Sequence, residues 1–479
     1  MQSSMLTKSR VAHAVAALVL AWGSGQAFAS GFGLQENSGS GLGNAYAGGA
    51  ASAEDASTVW ANPAGMSLIK TNQVAAAINL ITPSMKFSNG KSVAATNQPL
   101  GGEGGDAGSL NVVPNLYLVV PVARDWTFGL GINVPYGLVT EYENGWIGRY
   151  QALKSDVQTI NINPSIAWQV SPALSLGVGV SYQQIKGTFT SNANYSGALL
   201  RAAAQAGITP GSATFNAIAG STPGLDSFAS ITGDDWSWGW NVGALWQLDA
   251  RNRIGVAWRS DISYSLSGNA EFTNPALPST IPPALQPTVQ ALAAGVNGKA
   301  LYNSGVASDI KVPGIANISY FGALNDKWDL MADAQWTHWS TIQYLTFNRT
   351  DGSTVPLAST PLFFKDTWRF SLGANYKYSD QWMFRMGVAY DQSPVQEADR
   401  TPRLPDNDRT WLSGGVQYKW GKDWKFDLGA TYIWVSNGSI NNAGNDPATN
   451  LPSPATYGLI NGSYNNNVVI VSGQATWSF

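Results

Sequence analysis

The sequence predicts an all-β protein: a transmembrane antiparallel β-barrel of about fourteen strands, with an N-terminal hatch that plugs the lumen. Three observations support this fold class. Apolar and polar residues alternate with a period of two through most of the chain, short links alternate with long ones, and aromatic residues are abundant. A strand with lipid on one face and a polar lumen on the other has this period.

The composition is unusual for a soluble enzyme and does not fit a helical membrane protein. Only 12% of the 479 residues are charged, about half the usual fraction of roughly 25% in soluble proteins. The mean hydropathy is nevertheless only -0.09, and no run of ~18 apolar residues occurs outside the N-terminus. Strands in which apolar and polar residues alternate would give a mean hydropathy near zero without any long apolar run. The 20 Trp, 18 Tyr and 16 Phe suit aromatic girdles at the two membrane interfaces.

Residues 1–29 have the parts of a secretory signal peptide. Lys8 and Arg10 form a basic region, residues 11–22 are apolar, and Ala27-Phe28-Ala29 is a cleavage pattern. Because this segment holds two of the 27 basic residues and no acidic one, the remaining chain carries 25 basic and 30 acidic residues, a net charge of -5. This mild acidity argues against nucleic-acid binding.

Residues 30–70 differ from the rest of the chain. Gly, Ala, Ser and Asn dominate, with neither a strand period nor a sustained helical stripe. Such a segment is too poor in bulky apolar residues to form its own core. It is either a disordered tail or a segment packed inside the barrel, and we predict that it is the hatch, with the barrel occupying residues 71–479.

The alternating segments after the hatch predict the strands in order. Their marker residues begin near positions 74, 112, 126, 160, 174, 236, 254, 312, 328, 368, 382, 412, 424 and 469. The even number suits a closed bacterial barrel. The long loops are expected at 90–108, 135–157, 186–234, 265–310, 338–366, 391–408 and 435–466. The terminal Phe479 resembles the C-terminal signal read by the outer-membrane assembly machinery.

A soluble β-sandwich or propeller is the alternative fold. It is disfavoured because so many tryptophan-bearing faces would need a core that a single layer of sheet cannot supply. No catalytic motif or cysteine occurs, and His338, the one histidine after the signal segment, lacks a neighbouring metal ligand. His338 is expected at the rim of a strand. We expect neither an enzyme nor a cofactor.

Two of the long loops contain apolar residues. Leu199, Leu200 and Phe215 lie in the first, and Leu285, Val289 and Leu292 lie in the second, at spacings that predict an amphipathic helix. The two loops could simply pack on each other, or they could also form a groove that captures a lipid-like molecule.

The third strand ends in an irregular stretch, Asn133-Val134-Pro135-Tyr136-Gly137. Proline cannot donate to a ladder and glycine weakens it, so pairing should fail or bulge here. Either the strand ends at the membrane surface, or the barrel wall has a break that gives a lateral exit.

Two stretches resemble the FadL-type outer-membrane transporters. Residues 31–66, GFGLQENSGSGLGNAYAGGAASAEDASTVWANPAGM with its Asn62-Pro63-Ala64 motif, resemble the family's hatch. Residues 391–409, from DQSP (391–394) through RTPRLPDNDR (400–409), resemble a second signature. The resemblance implies uptake of long-chain fatty acids or similar hydrophobic compounds. Substrate would be caught between the third and fourth extracellular loops and then bound beside Phe32, Gly33 and Leu34. It would leave sideways through a lateral gate at 133–137, with the Asn62-Pro63-Ala64 motif nearby.

A group of charged residues accompanies the second signature: Asp391, Arg400, Arg403, Asp406 and Arg409. These residues could form a structural network in the lumen or meet a ligand carboxylate.

The predicted function is passive uptake of long-chain fatty acids across a Gram-negative outer membrane. Aromatic hydrocarbon uptake in the same family is the alternative, and a porin or adhesin is a further one. The expected partners are the hydrophobic solute, outer-membrane lipids, lipopolysaccharide and the assembly machinery, and the expected state is a monomer.

Overall fold

The computed structural model describes residues 30–479, so the predicted signal peptide lies outside the described residues. Twenty β-segments form one sheet, and they build fourteen barrel strands because six of the strands are interrupted. The segments are β1 (Gln73–Asn89), β2 (Asn111–Pro121), β3 (Trp126–Asn133), β4 (Gly137–Glu141), β5 (Lys154–Ser171), β6 (Leu174–Asn194), β7 (Asp226–Gln247), β8 (Asn252–Arg259), β9 (Ile262–Thr273), β10 (Ser304–Val312), β11 (Ile315–Ala323), β12 (Trp328–Thr337), β13 (Tyr344–Arg349), β14 (Ala358–Pro361), β15 (Thr367–Lys377), β16 (Trp382–Asp391), β17 (Arg409–Trp420), β18 (Trp424–Val435), β19 (Gly438–Asn442) and β20 (Ile460–Ser478).

The sheet closes on itself. β1 pairs antiparallel with β20 from Gln73↔Ser478 to Asn89↔Gly462, and the other strands pair antiparallel with their neighbours. Closure leaves no edge strand for lipid to meet. The predicted barrel and its strand number are therefore confirmed. Between residues 30 and 479, no helix combines the length and the apolar character that crossing a bilayer requires.

The outer surface is apolar, with aromatic residues at both ends. In β16, Phe384, Met386 and Val388 are exposed, whereas Arg385 between them is buried. At the short-turn end, the rings of Trp126 and Trp168 stack with centroids 5.6 Å apart. Trp258 and Trp336 stack at the opposite end of their strands. This arrangement matches the two interfacial girdles of a membrane barrel.

Several strands extend further than the sequence predicts. The expected loop 186–234 is wrong at both ends, because β6 continues to Asn194 and pairs with β7 as far as Asp226. The expected loop 265–310 is likewise shortened by β9 and β10. Beyond the membrane a ladder does not need a lipid-facing apolar side, so the alternation fades while the hydrogen bonds continue.

The hatch, residues 30–70, lies inside the barrel. It contains short helical turns: α1 (Gly39–Leu42), α2 (Gly49–Ser52), α3 (Thr58–Ala61) and a 3-10 helix (Pro63–Leu68). Its main chain is bonded to strands on different sides of the lumen. The Gly39 amide donates to Gln474 on β20, and the Ala45 carbonyl accepts from Arg369 on β15. The Ala50 amide donates to Ser319 on β11.

The extracellular loops contain further helices: α4 (Tyr195–Gln205), α5 (Ala213–Ser221), α6 (Gln286–Lys299) and α7 (Pro454–Tyr457). The amphipathic helix predicted in the second apolar loop is confirmed as α6, whose Val289, Leu292 and Val296 are buried. His338 follows directly after β12, at the predicted strand end, and stacks on Trp336.

Candidate functional site

The third barrel strand is interrupted between β3 and β4. Its ladder with β2 ends at Leu116↔Ile132, and β4 pairs with β5 on the other side. Residues 133–140 are all buried, so the alternation of exposed and buried residues stops here. A strand with one face in lipid cannot bury eight consecutive residues. Both faces of this segment are therefore covered by protein, while residues 133 and 137–141 keep their pairing with β5.

The N-terminus of the hatch pairs with this segment. Gly33 and Tyr136 form an antiparallel bridge. The Leu34 amide donates to the Pro135 carbonyl at 2.8 Å, and the Gly137 amide donates to the Phe32 carbonyl at 2.8 Å. The hatch thus satisfies two of the main-chain groups at the interruption, and Thr159 Oγ1 of β5 accepts from the Tyr136 amide and donates to the Tyr136 carbonyl.

Aromatic side chains pack around Phe32. The centroid of its ring lies 4.9 Å from that of Trp339 in an edge contact and 5.8 Å from that of Tyr136. The Tyr136 hydroxyl donates to the Pro313 carbonyl at 2.7 Å. This group belongs to a larger buried apolar cluster, which we call the lumen cluster and which also contains Phe189, Leu266, Phe347 and Phe364. An apolar ligand would meet this cluster beside the hatch terminus.

The start of the hatch is tied to the second signature. The Gly31 amide donates to Asp406 Oδ2 at 2.9 Å, and the Ser30 hydroxyl donates to the Gln392 carbonyl. Gly31 has a φ of 63°, and a Cβ there would lie 2.9 Å from the Trp339 ring. Only glycine fits both the backbone conformation and the contact.

The Asn62-Pro63-Ala64 motif lies elsewhere. Asn62 donates to the carbonyls of Ala50 and Ala244, while a Cβ on Gly177 would clash with the Pro63–Ala64 backbone. The motif therefore packs against β6 and β7. It makes its contacts with these strands, whereas the hatch terminus contacts the interruption in strand three.

Four of the five predicted charged residues lie together. Arg409 donates to Asp406 Oδ1 from Nε at 3.0 Å and from Nη2 at 2.6 Å. Arg400 donates to the Asp406 carbonyl and the Ser439 carbonyl. Asp391 is buried opposite Arg409 in the β16–β17 register. This cluster holds the hatch terminus in place through Asp406.

Arg403 is separate from that cluster. Its Nη1 donates to the Lys154 carbonyl and to Ser155 Oγ, both at 3.1 Å. It lines a cavity of about 470 Å³ among the extracellular loops, which we call the outer cavity.

The residues predicted to capture substrate pack together in the loops and do not line a groove. Leu199, Leu200, Val289 and Leu292 are buried in a cluster shared by α4, α5 and α6, with Phe215 and Leu285 packed against it. The two loops therefore cover each other's apolar faces. The outer cavity instead borders Ala198 and Arg201, on another face of α4.

Comparison with known proteins decides the family. The family described as "Outer membrane protein transport protein (OMPP1/FadL/TodX)" matches residues 20–479. The chain belongs to this family. The FadL resemblance read from the hatch and the second signature is confirmed, and the protein is a multi-pass barrel of the Gram-negative outer membrane.

Relatives within the FadL family are similar over nearly the whole chain. The "Long-chain fatty acid transport protein" of Escherichia coli strain K12 is 32% identical over 453 residues, covering 92% of this chain and 94% of the relative. "Outer membrane protein P1" of Haemophilus influenzae strain KW20 is 30% identical over 422 residues, covering 85% and 87%.

Solved structures of the FadL family agree with the fold. A Pseudomonas aeruginosa FadL homologue has a TM-score of 0.79 at 26% identity, covering 94% of this chain and all of that one. The Pseudomonas putida toluene transporter TodX has a TM-score of 0.59 at 17% identity, covering 88% and 94%, and this likeness concerns the fold alone.

Sequence reasoning missed two parts of this FadL-family site. Trp339 was visible only as a neighbour of His338, yet it lies directly on Gly31 and Phe32. Arg385 bridges Glu54 of the hatch at 2.5 Å and Asp427 of β18 at 3.0 Å. The alternation of β16 marks Arg385 as inward-facing, but a period of two does not reveal its partners.

Proposed function

We propose that this FadL-family protein takes up long-chain fatty acids passively across the outer membrane. Substrate is captured at the extracellular loops, binds beside Phe32 in the lumen cluster, and leaves laterally through the interruption in strand three. The observation that carries the proposal is the pairing of the hatch terminus with residues 135–137. A seal made by a separate segment can open without unfolding the barrel.

A lateral route suits an apolar solute. Leaving an apolar chain in water costs about 25 cal/mol for each Å² exposed, so a water-filled pore offers such a solute no advantage. The hatch fills the lumen with buried side chains, whereas the wall beside strand three faces the hydrocarbon. A path from the lumen cluster into the bilayer keeps the chain out of water.

Fatty acids are favoured over aromatic hydrocarbons as the cargo. The long-chain fatty acid transport proteins among the relatives are 31–33% identical to this chain. The toluene and monoaromatic channels are only 16–19% identical and support the barrel fold rather than a cargo. We also expect the protein to work as a monomer among outer-membrane lipids and lipopolysaccharide, after insertion by the assembly machinery.

A reversible cross-link tests the gate. Gly33 and Tyr136 are the bridged pair, and the hydrogen bonds flanking them mark a non-hydrogen-bonded position, where Cα atoms lie about 4.5 Å apart. Replacing both by cysteine should therefore allow a disulfide. Because the chain has no native cysteine, the bond formed is unambiguous.

We expect the oxidised Gly33→Cys/Tyr136→Cys protein to lose oleate uptake and to regain it on reduction. Each single-cysteine variant under the same oxidant is the control. Toluene uptake measured in parallel tests the alternative cargo. Unchanged oleate uptake by the fully oxidised barrel would refute lateral release at this site.

A further inference from the structure

We propose that Arg403 is the residue that binds the carboxylate of a fatty acid, and that it does so from the floor of the outer cavity. This inference rests on the proposed function and names the group that would select an acid over a neutral hydrocarbon.

The outer cavity has the size and lining of an amphiphile site. Its volume of about 470 Å³ lies within the roughly 300–1,000 Å³ of typical ligand pockets. Apolar side chains such as Ile231, Phe272 and Leu357 form part of its wall, and two guanidinium groups, those of Arg201 and Arg403, also border it. An acyl chain and an anionic head could both be accommodated.

Arg403 has no anionic partner among the residues that the structure describes. Its polar contacts are the Lys154 and Thr190 carbonyls and the Ser155 hydroxyl. Of the other two arginines of the signature, both of which are buried, Arg409 is paired with Asp406 at 2.6 Å, and Arg400 donates to the carbonyls of Asp406 and Ser439. A desolvated cation without a counter-ion is costly, and a bound carboxylate would offset that cost.

The Arg403 side chain remains charged despite its surroundings. Burial lowers its pKa to about 10, so the guanidinium is still cationic at neutral pH. A planar guanidinium can bind a carboxylate through two parallel hydrogen bonds.

The one acidic residue bordering the cavity does not compete for Arg403. Asp446 Oδ1 accepts from the Ala448 and Thr449 amides at 2.9 and 3.2 Å. Arg201, the second guanidinium, donates to Thr456 Oγ1 at 2.6 Å and is exposed. It adds positive charge at the solvent side of the cavity, where it can steer an anion inward.

Arg403 lies where the outer cavity meets the lumen cluster. Its guanidinium is 5.6 Å from the centroid of the Phe189 ring, which packs on Phe347 with centroids 5.5 Å apart. Both rings belong to the same cluster as Phe32. The Arg403 carbonyl also accepts from Thr140 of β4 at 3.2 Å. A head group held at Arg403 would place its chain against the apolar path to the hatch terminus.

The test compares an acid with a neutral analogue. The full-length protein in detergent micelles is titrated with oleate and with oleyl alcohol, using wild type, Arg403→Gln and Arg403→Lys. We expect Arg403→Gln to weaken oleate binding about tenfold or more, as for loss of a charged hydrogen bond, and to leave oleyl alcohol binding unchanged. Arg403→Lys should recover part of the loss. Arg251→Gln, an exposed arginine in the turn before β8, is the matched control.

Circular dichroism of each variant verifies that the barrel is folded. Equal weakening of both ligands would assign Arg403 a purely structural role and overturn the inference, as would unchanged oleate binding by Arg403→Gln. A folded wild type that binds neither ligand would instead overturn the proposed function, and this inference with it.

Discussion

The wall formed by β15 to β18 and the wall around β3 and β4 are built differently. β16 pairs continuously with β15 and β17, and its apolar side chains alternate outward along its length. Strand three pairs with β2 only from Thr127 to Ile132. After Ile132, the hatch supplies hydrogen bonds in place of β2. A continuous ladder seals itself, whereas an interrupted one depends on a segment that can move.

The two walls also differ in the free energy needed to open them. The hatch closes the interruption with two main-chain hydrogen bonds, each worth about 1 kcal/mol net, together with the aromatic contacts of Phe32. The β15–β16 ladder cannot open without exposing unpaired backbone to lipid, which costs several kcal/mol per group. Of these two walls, the one closed by the hatch terminus therefore costs less free energy to open.

The strongest test makes strand three resemble β16. Replacing residues 133–137 with a regular strand sequence, without proline or glycine, should restore pairing with β2 and close the proposed exit. We expect oleate uptake to fall to the level of a deletion strain while surface binding of oleate persists, measured with labelled oleate on whole cells. Uptake at the wild-type rate in this variant would argue against lateral release.

The second test loosens the hatch without touching strand three. Arg385 joins Glu54 to Asp427 in the lumen, so Arg385→Met leaves carboxylates without their counter-ion, at a cost of about 3–5 kcal/mol. We expect frequent channel openings in planar bilayers, where the wild type should be quiet. Lys327→Met, in an exposed turn, is the control and should stay quiet.

The third test concerns the fit between hatch and wall. A Cβ on Gly387 of β16 would lie 2.2 Å from the Asn44 carbonyl carbon, whereas one on Gly414 of β17 would meet nothing within 4 Å. We expect Gly387→Ala to lower the free energy of unfolding by about 1–3 kcal/mol, with Gly414→Ala close to neutral. Denaturant titration in detergent compares the two. Equal stabilities would show that the hatch is not held tightly against this wall.

The last test concerns pH. Glu36, in the hatch, is fully buried, and burial raises its pKa from 4.5 to about 7. Arg369, Arg409, Asp391 and Tyr46 are the ionisable groups that influence it. Because the folded pKa is the higher one, the ionisation of Glu36 adds no cost to the folded state well below pH 4.5 and a progressively larger cost as the pH rises toward 7.

We therefore expect the seated hatch to weaken between about pH 5 and 8, by up to about 70-fold in its opening equilibrium if opening returns Glu36 to water. Channel-opening frequency recorded across this range would report it. Glu36→Gln should reduce the dependence, and a variant that keeps the full pH response would show that another group is responsible.

Much of the fold was predictable from local sequence. The alternation Phe384–Met386–Val388 and its equivalents located the barrel strands, and Pro135 and Gly137 located the interruption. The extracellular extensions of β6 and β7 were missed because strands outside the membrane lack a lipid-facing apolar side. Leu199 and Val289 were recognised as apolar loop residues, but whether they cover each other or line a groove depends on packing that neither loop specifies alone.

The sequence by itself determined the barrel and marked residues 30–70 and 133–137 as irregular, because each of these follows from residue types at short spacing. Only the tertiary structure decided that residues 30–70 pack in the lumen and that strand three is interrupted rather than ended at 133–137, and it separated Arg403 from the ion pair of Asp406 and Arg409. Those outcomes depend on contacts between residues hundreds of positions apart, such as Gly31 with Asp406. Period and composition describe neighbours along the chain, and they carry no information about which inward-facing groups meet across a lumen.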